Sequence, residues 1–167
     1  MPVLPSEIVQ RLSGGAANTD PDAALGGAKS AQAAGTGAGA LFRDVSTVEA
    51  AAGVTLYRCF YIENTSAADT ASAVAAYIKS QSSSPDSVVE IGVGASGVNG
   101  VETATSDEFT APAGVAFSTA AVSAATALPL GNLPPGQHAA LWYKLTVSPG
   151  AAFDPADTAE FSIAFIP

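Results

Sequence analysis

The sequence predicts an all-β protein: a β-sandwich preceded by an extended N-terminal arm. Short segments rich in β-branched and aromatic residues recur from residue 54 to the C-terminus, and turn-forming residues separate them. About seven such segments at this spacing are typical of a sandwich. Before them, residues 13–40 consist mostly of Gly, Ala and turn formers, with very few large side chains.

The N-terminal part, residues 1–53, is predicted to be an arm and linker. Residues 6–12 have the pattern of one short strand. The small residues that follow cannot bury enough apolar surface to offset the entropy of ordering them. We therefore expect residues 13–40 to be disordered alone or to lie on a partner, where Gly and Ala would allow a close backbone approach. Four larger side chains punctuate this part and are the predicted anchors: Leu12, Leu25, Leu41 and Phe42.

The predicted sandwich domain spans residues 54–167. One helical turn is expected at residues 48–52, and Gly53 is expected to end it. The segment 54–62 has apolar side chains on both faces and is expected to be a central strand. Further strands are predicted at residues 73–79, 87–93, 114–118, 138–147 and 158–165. The expected core consists of Leu56, Phe60, Ile62, Tyr77, Ile91, Leu141, Leu145, Phe161 and Ile163.

The charge balance argues against several classes of partner. The chain has 6 Lys and Arg against 15 Asp and Glu, which gives a formal net charge of −9. Such a surface repels phosphate, so we expect no binding to nucleic acid or to anionic membranes. No window approaches the ~18 apolar residues of a membrane span. Residues 1–5 lack the features of a secretory signal, so we expect synthesis in a cytoplasm.

No group of residues in the sequence is typical of an enzyme. His138 is the single histidine, and no Ser lies in a G-x-S-x-G elbow. Residues 92–97 spell G-x-G-x-x-G, but a turn follows them where a dinucleotide site needs a helix. Cys59 lies among apolar residues and is expected to be a small buried side chain. The sequence therefore predicts no catalytic residues and no cofactor.

Two acidic pairs offer the oxygen ligands that calcium prefers. They are Asp20 with Asp22, and Asp154 with Asp157. Neither spacing matches a calcium-binding loop, and Asx turns or helix caps explain both pairs. No metal site is predicted.

Three segments together resemble an immunoglobulin-like sandwich of the kind found in surface and virion accessory domains. They are the strand end at residues 62–66, the Pro- and Gly-containing turn at residues 130–137, and the aromatic strand around Trp142. The resemblance implies an immunoglobulin-like fold over residues 54–166. An antibody-type disulfide is excluded, because Cys59 is the single cysteine.

The whole chain also resembles the small Ala- and Gly-rich virion proteins of tailed bacteriophages, through residues 11–27, 41–45 and 57–61. The resemblance implies a non-enzymatic structural protein of the virion, foremost a capsid decoration or cement protein that bridges neighbouring major capsid subunits. A tail, neck or baseplate component remains an alternative, as does a carbohydrate- or receptor-binding module. The implied partners are the major capsid protein or other virion proteins. Because a sandwich has edge strands, we also expect a homo-oligomer, with a trimer preferred to a dimer or hexamer.

Overall fold

The computed structural model describes residues 2–37, 39–152, 154 and 157–166. Over these residues, two antiparallel sheets pack against each other, which confirms the predicted all-β sandwich. One sheet has the order β1-β2-β6-β4 and the other the order β5-β3-β7. The elements are β1 (Ile8–Leu12), α1 (Thr47–Ala52), β2 (Val54–Asn64), β3 (Ala71–Ser80), β4 (Ser87–Val93), β5 (Leu128–Leu133), β6 (His138–Val147) and β7 (Glu160–Ile166).

The architecture is that of immunoglobulin-like sandwiches, but the strand order differs from theirs. An immunoglobulin domain places its fifth strand between the second and the fourth, and its sixth strand in the opposite sheet. Here β6 lies between β2 and β4, and β5 lies beside β3 in the other sheet. The likeness therefore extends to the two packed sheets and not to the connectivity.

Most predicted elements are present, and two predictions about strands are wrong. β4 and β6 have the predicted bounds, and α1 ends directly before Gly53, whose φ is 79°. Residues 114–118 form no strand, and only Ser118 makes a single bridge, to Ile91. β5 replaces a predicted turn, because Leu130 and Leu133 insert into the core and hold this segment in the sheet.

The main core lies between the two sheets. Tyr143 on β6 makes edge-to-face ring contacts with Phe60 on β2 and with Phe161 on β7, at centroid distances of 5.5 and 4.8 Å. Among the predicted core residues, those near the centre are buried and those near the margin are half-buried. The buried ones are Leu56, Phe60, Ile62, Ile91 and Leu141, and the half-buried ones are Tyr77, Leu145, Phe161 and Ile163.

The N-terminal part is joined to the sandwich. β1 pairs with β2, from Ile8 opposite Asn64 to Leu12 opposite Phe60, although it precedes the predicted domain boundary at residue 54. Residues 30–34 then return along the outer edge of β1, where backbone hydrogen bonds of 2.8 to 3.1 Å hold them. These contacts contradict the expectation that this segment needs a partner in order to pack, because the chain's own sheet provides the surface.

Candidate functional site

Two irregular segments cover the outer face of the four-stranded sheet. We call residues 13–37 the N-terminal segment and residues 94–127 the β4–β5 connection. Beneath them lie Cys59 and Tyr61 of β2 and Trp142 of β6, each of which has no exposed surface. The sheet is therefore buried on both sides, by a second sheet on its inner face and by loops on its outer face.

The two covering segments hydrogen-bond to each other over this outer face. The backbone N–H of Gly27 donates to the carbonyl of Glu102 over 2.9 Å. The φ of the adjacent Gly26 is +95°, and a Cβ built on it would lie 2.6 Å from the carbonyl oxygen of Thr103. Only glycine permits both this conformation and this close approach. The Gly-rich composition of the N-terminal segment therefore serves close packing on the protein itself.

Glu102 is the charged centre of the outer face, where it is 5% exposed. Its carboxylate accepts hydrogen bonds from Nε1 of Trp142 (2.9 Å) and from the backbone N–H of Ser96 (2.7 Å). Its backbone N–H donates to the hydroxyl of Tyr61 over 2.9 Å. Burial raises the pKa of Glu102, but the hydrogen bonds from Ser96 and Trp142 outweigh burial, so the pKa lies below its usual value. The buried carboxylate is held as an anion that organises the β4–β5 connection.

A second buried charge, Arg58, lies on β2 just beyond the end of β1. Its Nη2 donates to Oδ1 of Asp22 over 2.9 Å and also to the carboxylate of Glu108. Its Nη1 donates to the carbonyl of Tyr57 over 3.0 Å. Asp22 belongs to the N-terminal segment and Glu108 to the β4–β5 connection. One guanidinium therefore fastens both covering segments to the sheet.

Arg43 extends this cluster to α1. Its Nε and Nη2 donate to Oε1 of Glu108 over 2.9 and 2.7 Å, and its Nη1 donates to Oε2 of Glu49 over 2.9 Å. The hydrogen bonds from Arg43 and then from Ser46 lower the pKa of Glu49 to about 2. Opposite charges thus join α1 to the β4–β5 connection at one end of the sandwich.

A separate ion-pair cluster fastens the N-terminal segment to the other end of β2. Glu63 accepts hydrogen bonds from Nε of Arg11 over 2.7 Å and from Nζ of Lys29. Burial raises the pKa of Glu63, but Lys29 and Arg11 outweigh burial and leave it below its usual value. Glu63 is therefore an ionised attachment point for β1 and for the N-terminal segment.

Three of the four predicted anchors, Leu12, Leu41 and Phe42, contact the protein's own sandwich. Leu12 is 1% exposed and belongs to the core, and Leu41 and Phe42 are partly buried against that core. Leu25 is half-buried, and the ring of Phe42 lies 6.0 Å from the guanidinium carbon of Arg58. Leu12 has no surface left to contact a partner, so the anchor role that the structure gives it is internal.

Arg58, Glu102 and Glu108 were not predicted from the sequence to belong to this site, and Asp22 was considered only as a calcium ligand. Arg58 did carry a usable signal, because an arginine between Tyr57 and Cys59 in an apolar strand must be buried and must find a carboxylate. Glu102 and Glu108 carry no comparable signal. They lie in an irregular segment, and their neighbours in sequence are mostly small or polar.

The side chains considered for catalysis are buried or serve the packing. Cys59 has no exposed surface, and burial raises the pKa of its thiol well above the usual range. Burial also lowers the pKa of His138, whose Nε2 lies 3.3 Å from the carbonyl of Gly100. In the G-x-G-x-x-G segment, a Cβ on Gly92 would lie 2.6 Å from Cγ1 of Val115. That glycine allows the β4–β5 connection to lie directly on β4.

Of the two acidic pairs weighed as calcium ligands, Asp20 makes the expected local cap, whereas the described hydrogen bonds of the Asp157 carboxylate reach a segment far away in the sequence and not the expected Asx turn or cap. Oδ1 of Asp20 accepts from the N–H two residues later (2.9 Å) and caps a short 3₁₀ helix. The carboxylate of Asp157 accepts from the hydroxyl of Ser87 over 2.6 Å, while residues 155 and 156 lie outside the described residues. Among the residues that the structure describes, no group of three or more His, Cys, Asp or Glu side chains could hold a metal ion.

Acidic side chains outnumber basic ones, and the basic ones are all paired. All six Lys and Arg lie among the described residues, and each is paired with a carboxylate of the chain. No helix in the described ranges is long and apolar enough to cross a bilayer.

Comparisons of the chain with known protein families, with curated proteins and with solved structures found no match.

Proposed function

We propose that this protein is a non-enzymatic structural component of a tailed-phage virion, specifically a decoration or cement protein that binds neighbouring major capsid subunits. The observation that supports a structural role is that the basic side chains form ion pairs within the chain. Each Lys and Arg joins one segment of the chain to another. The assignment to tailed-phage virions is supported by the resemblance of residues 11–27, 41–45 and 57–61.

The surface proposed to face the capsid is the exposed part of the N-terminal segment, residues 31–33 and 35–37. Apart from Gln32, the side chains there are small and let another backbone approach closely. Each such contact is weak. Many copies of the protein bound over the capsid lattice would together stabilise it, because each copy bridges neighbouring capsid subunits. Since the rest of the segment is fastened to the sheet, little ordering entropy remains to be lost on binding.

The positions of the aromatic side chains argue against a carbohydrate-binding module. Carbohydrate sites usually use exposed aromatic rings as platforms. Trp142, Tyr61 and Tyr143 are buried in this protein. Phe109, which is 53% exposed, is the large aromatic side chain that stands out at the described surface.

The proposal is tested on capsids of the phage that encodes this chain, assembled without its gene. Purified protein added to these capsids should bind at a fixed number of copies per capsid subunit and should raise the temperature at which the capsids release DNA. The variant Thr36→Arg, on the exposed N-terminal segment, should lower the occupancy. The matched control Thr119→Arg, on the exposed β4–β5 connection, should bind as the wild type does.

The outcomes separate the alternatives. Binding to purified tails and not to capsids would replace the decoration role by the tail, neck or baseplate role. Failure to bind either particle would overturn the virion proposal. Equal occupancy by Thr36→Arg and Thr119→Arg would keep the decoration role and remove the N-terminal segment as its contact surface.

A further inference from the structure

The described part of the sandwich has four edge strands, and other segments of the chain bond to parts of both edges of the larger sheet. Residues 30–34 pair along the outer edge of β1. On the outer edge of β4, Ser118 and Ile91 exchange backbone hydrogen bonds of 2.9 and 3.2 Å. The side-chain amide of Gln81 bonds both the N–H and the carbonyl of Val89, over 2.8 and 2.9 Å. A strand from another molecule could therefore not pair along the full length of either edge of this sheet.

The two edges of the smaller sheet differ from each other. β5 contains Pro129, which has no N–H to donate, and Gly131, whose φ is 95°. Both residues interrupt a strand edge and protect it from pairing. β7 has neither residue type, and its one charged side chain, Glu160, lies at its first position.

The backbone of β7 is bonded on one side. It pairs with β3, and among the described residues no hydrogen bond reaches its backbone from the opposite side. In an antiparallel pair, alternate residues direct their N–H and C=O groups away from the partner strand. β7 therefore presents a row of unpaired donors and acceptors, which is the geometry that an added strand satisfies.

The side chains of β7 suit an added strand on both faces. Phe161, Ile163 and Phe165 pack against the core but remain half-exposed at the sheet edge. On the other face, Ser162 and Ala164 are small and uncharged. An added strand would cover the three larger side chains without a steric or electrostatic conflict at the two small ones.

We propose that β7 is the self-association edge of this protein, and that two copies pair through it in antiparallel fashion to form one six-stranded sheet. Pairing centred on Ile163 gives the largest overlap and keeps core-facing residues opposite core-facing residues. Phe161 then lies opposite Phe165 of the second copy, an aromatic cross-strand pair. The inference goes beyond the virion role and does not rest on it.

Charge repulsion does not oppose a second copy in this arrangement, and the near-palindromic order Phe161-Ser162-Ile163-Ala164-Phe165 makes the strand complementary to itself. In this register the two Glu160 side chains lie at opposite ends of the paired strands, about 20 Å apart along the strand direction. Each Glu160 is also paired with Lys79 of its own copy, over 2.8 Å. The acidic net charge of the protein therefore does not concentrate at the β7 edge.

The pairing is two-fold and produces a dimer. A trimer, which we expected from the sequence, would need a head-to-tail contact, with β7 of one copy on β5 of the next. Pro129 in β5 disfavours that contact, because it removes one of the donors. The trimer remains a prediction that the same experiment addresses.

The test measures sedimentation of the full chain over a range of micromolar concentrations. The wild type should form a dimer. Ala164→Lys places one lysine per copy beside the paired strands and should weaken dimerisation by about tenfold or more, equivalent to roughly 1.4 kcal/mol. Ala125→Lys, the matched control on an exposed residue before β5, should dimerise as the wild type does. Thermal melts followed by circular dichroism confirm that each variant is folded.

Three results would overturn the proposal. They are a wild type that stays monomeric at the highest concentration, a trimer in place of a dimer, and equal association of the folded Ala164→Lys variant and the wild type. If Ala164→Lys fails to fold, a cross-linking experiment takes its place.

Cross-linking tests the register directly. In the proposed pairing, Ser162 lies opposite Ala164 of the second copy, with Cβ atoms about 5 Å apart. The double variant Ser162→Cys, Ala164→Cys should therefore form a covalent dimer with oxidised glutathione, which is reduced as the two thiols join. Ser162→Cys alone should cross-link much more slowly, because its copies are offset along the strands. Native Cys59 is buried and does not compete. Equal cross-linking by the single and double variants would overturn the register.

Discussion

The two faces of the four-stranded sheet come from alternate residues of the same strands, but they are covered in different ways. On the inner face, Phe60 and Leu141 pack against a second sheet through apolar contacts. On the outer face, the neighbouring Cys59 and Trp142 lie beneath loops that depend on the carboxylate of Glu102. Irregular backbone that covers a sheet needs polar partners for its N–H and C=O groups, and on this face Glu102 and Tyr61 supply some of them.

The two faces should therefore fail for different reasons. The inner face depends on the volume and shape of its side chains, so it should be sensitive to truncation. The outer face depends on single hydrogen bonds and on close backbone approaches, so it should be sensitive to the loss of one acceptor or to the gain of one methyl group.

Truncation on the inner face should have the largest effect. Phe60→Ala removes a fully buried ring that contacts Tyr143, and it should lower the free energy of unfolding by about 3–5 kcal/mol. Val48→Ala, at a residue that is 76% exposed on α1, is the control and should change it by less than about 0.5 kcal/mol. Denaturant titration measures both values. A loss below about 1 kcal/mol for Phe60→Ala would show that the inner core is not tightly packed.

Loss of the buried carboxylate should be the largest effect on the outer face. Glu102→Ala leaves the buried Nε1–H of Trp142 without its acceptor, at a cost of about 1–3 kcal/mol, and also the N–H of Ser96, which is only partly buried and should cost less. Asp44→Ala removes an exposed carboxylate and should be nearly neutral. Because the β4–β5 connection would loosen, limited proteolysis should cut residues 94–127 faster in Glu102→Ala. Equal stability of the two variants would show that Glu102 does not organise this face.

A pair of glycine substitutions separates close packing from backbone strain. Gly26 and Gly37 have nearly the same φ, +95° and +97°, but a Cβ would meet the Thr103 carbonyl at Gly26 and nothing within 4 Å at Gly37. Both Ala substitutions carry the strain of a left-handed backbone. Gly26→Ala should cost about 1–3 kcal/mol more, because the new methyl group separates the two covering segments. If denaturant titration gives equal losses of unfolding free energy for the two variants, backbone strain alone explains why residue 26 is a glycine.

The elements with strong local patterns could be predicted from the sequence. β4 and β6 have the expected bounds, because β-branched and aromatic residues fill them and turn residues flank them. β5 could not be predicted in this way, because Pro129 and Gly131 break the local pattern while Leu130 and Leu133 are held by the opposite sheet. Tertiary contacts, and not local sequence preference, make this segment a strand.

The outer layer could not be predicted, since its contacts join residues far apart in the chain. Ser13 is an example: its hydroxyl donates to the carbonyl of Cys59 (2.8 Å) and accepts from the N–H of Gly26 (3.0 Å). Composition correctly indicated that small residues allow a close backbone approach. It could not indicate that the approached surface belongs to the same chain. The apolar side chains on both faces of β2 showed that each face needs a cover, but no local feature identifies the segment that covers the outer face.

The smallest effect concerns acid sensitivity at the attachment of the N-terminal segment. The pKa of Glu63 is lower in the folded protein than its ordinary value of 4.5, since Lys29 and Arg11 outweigh the effect of burial. A carboxyl group with a lowered folded pKa contributes stability above its unfolded pKa and loses that contribution as the pH falls through the folded value. Glu63→Gln should therefore be less stable than the wild type at pH 7 by up to about 1 kcal/mol, and the difference should shrink as the pH falls below about 4.5.

The matched control for this prediction is Glu160→Gln. Glu160 pairs with Lys79 on β3, and both side chains are more than half exposed, at 58% and 56%. Such a pair contributes little, because water and salt screen it. Denaturant titrations between pH 7 and pH 3 should give the same pH dependence for Glu160→Gln and the wild type, and a flatter one for Glu63→Gln. If Glu63→Gln keeps the wild-type dependence, the ion pairs of Glu63 do not fasten the N-terminal segment, and its other contacts hold it, such as the backbone hydrogen bonds of residues 30–34 to β1 and the Asp22–Arg58 pair.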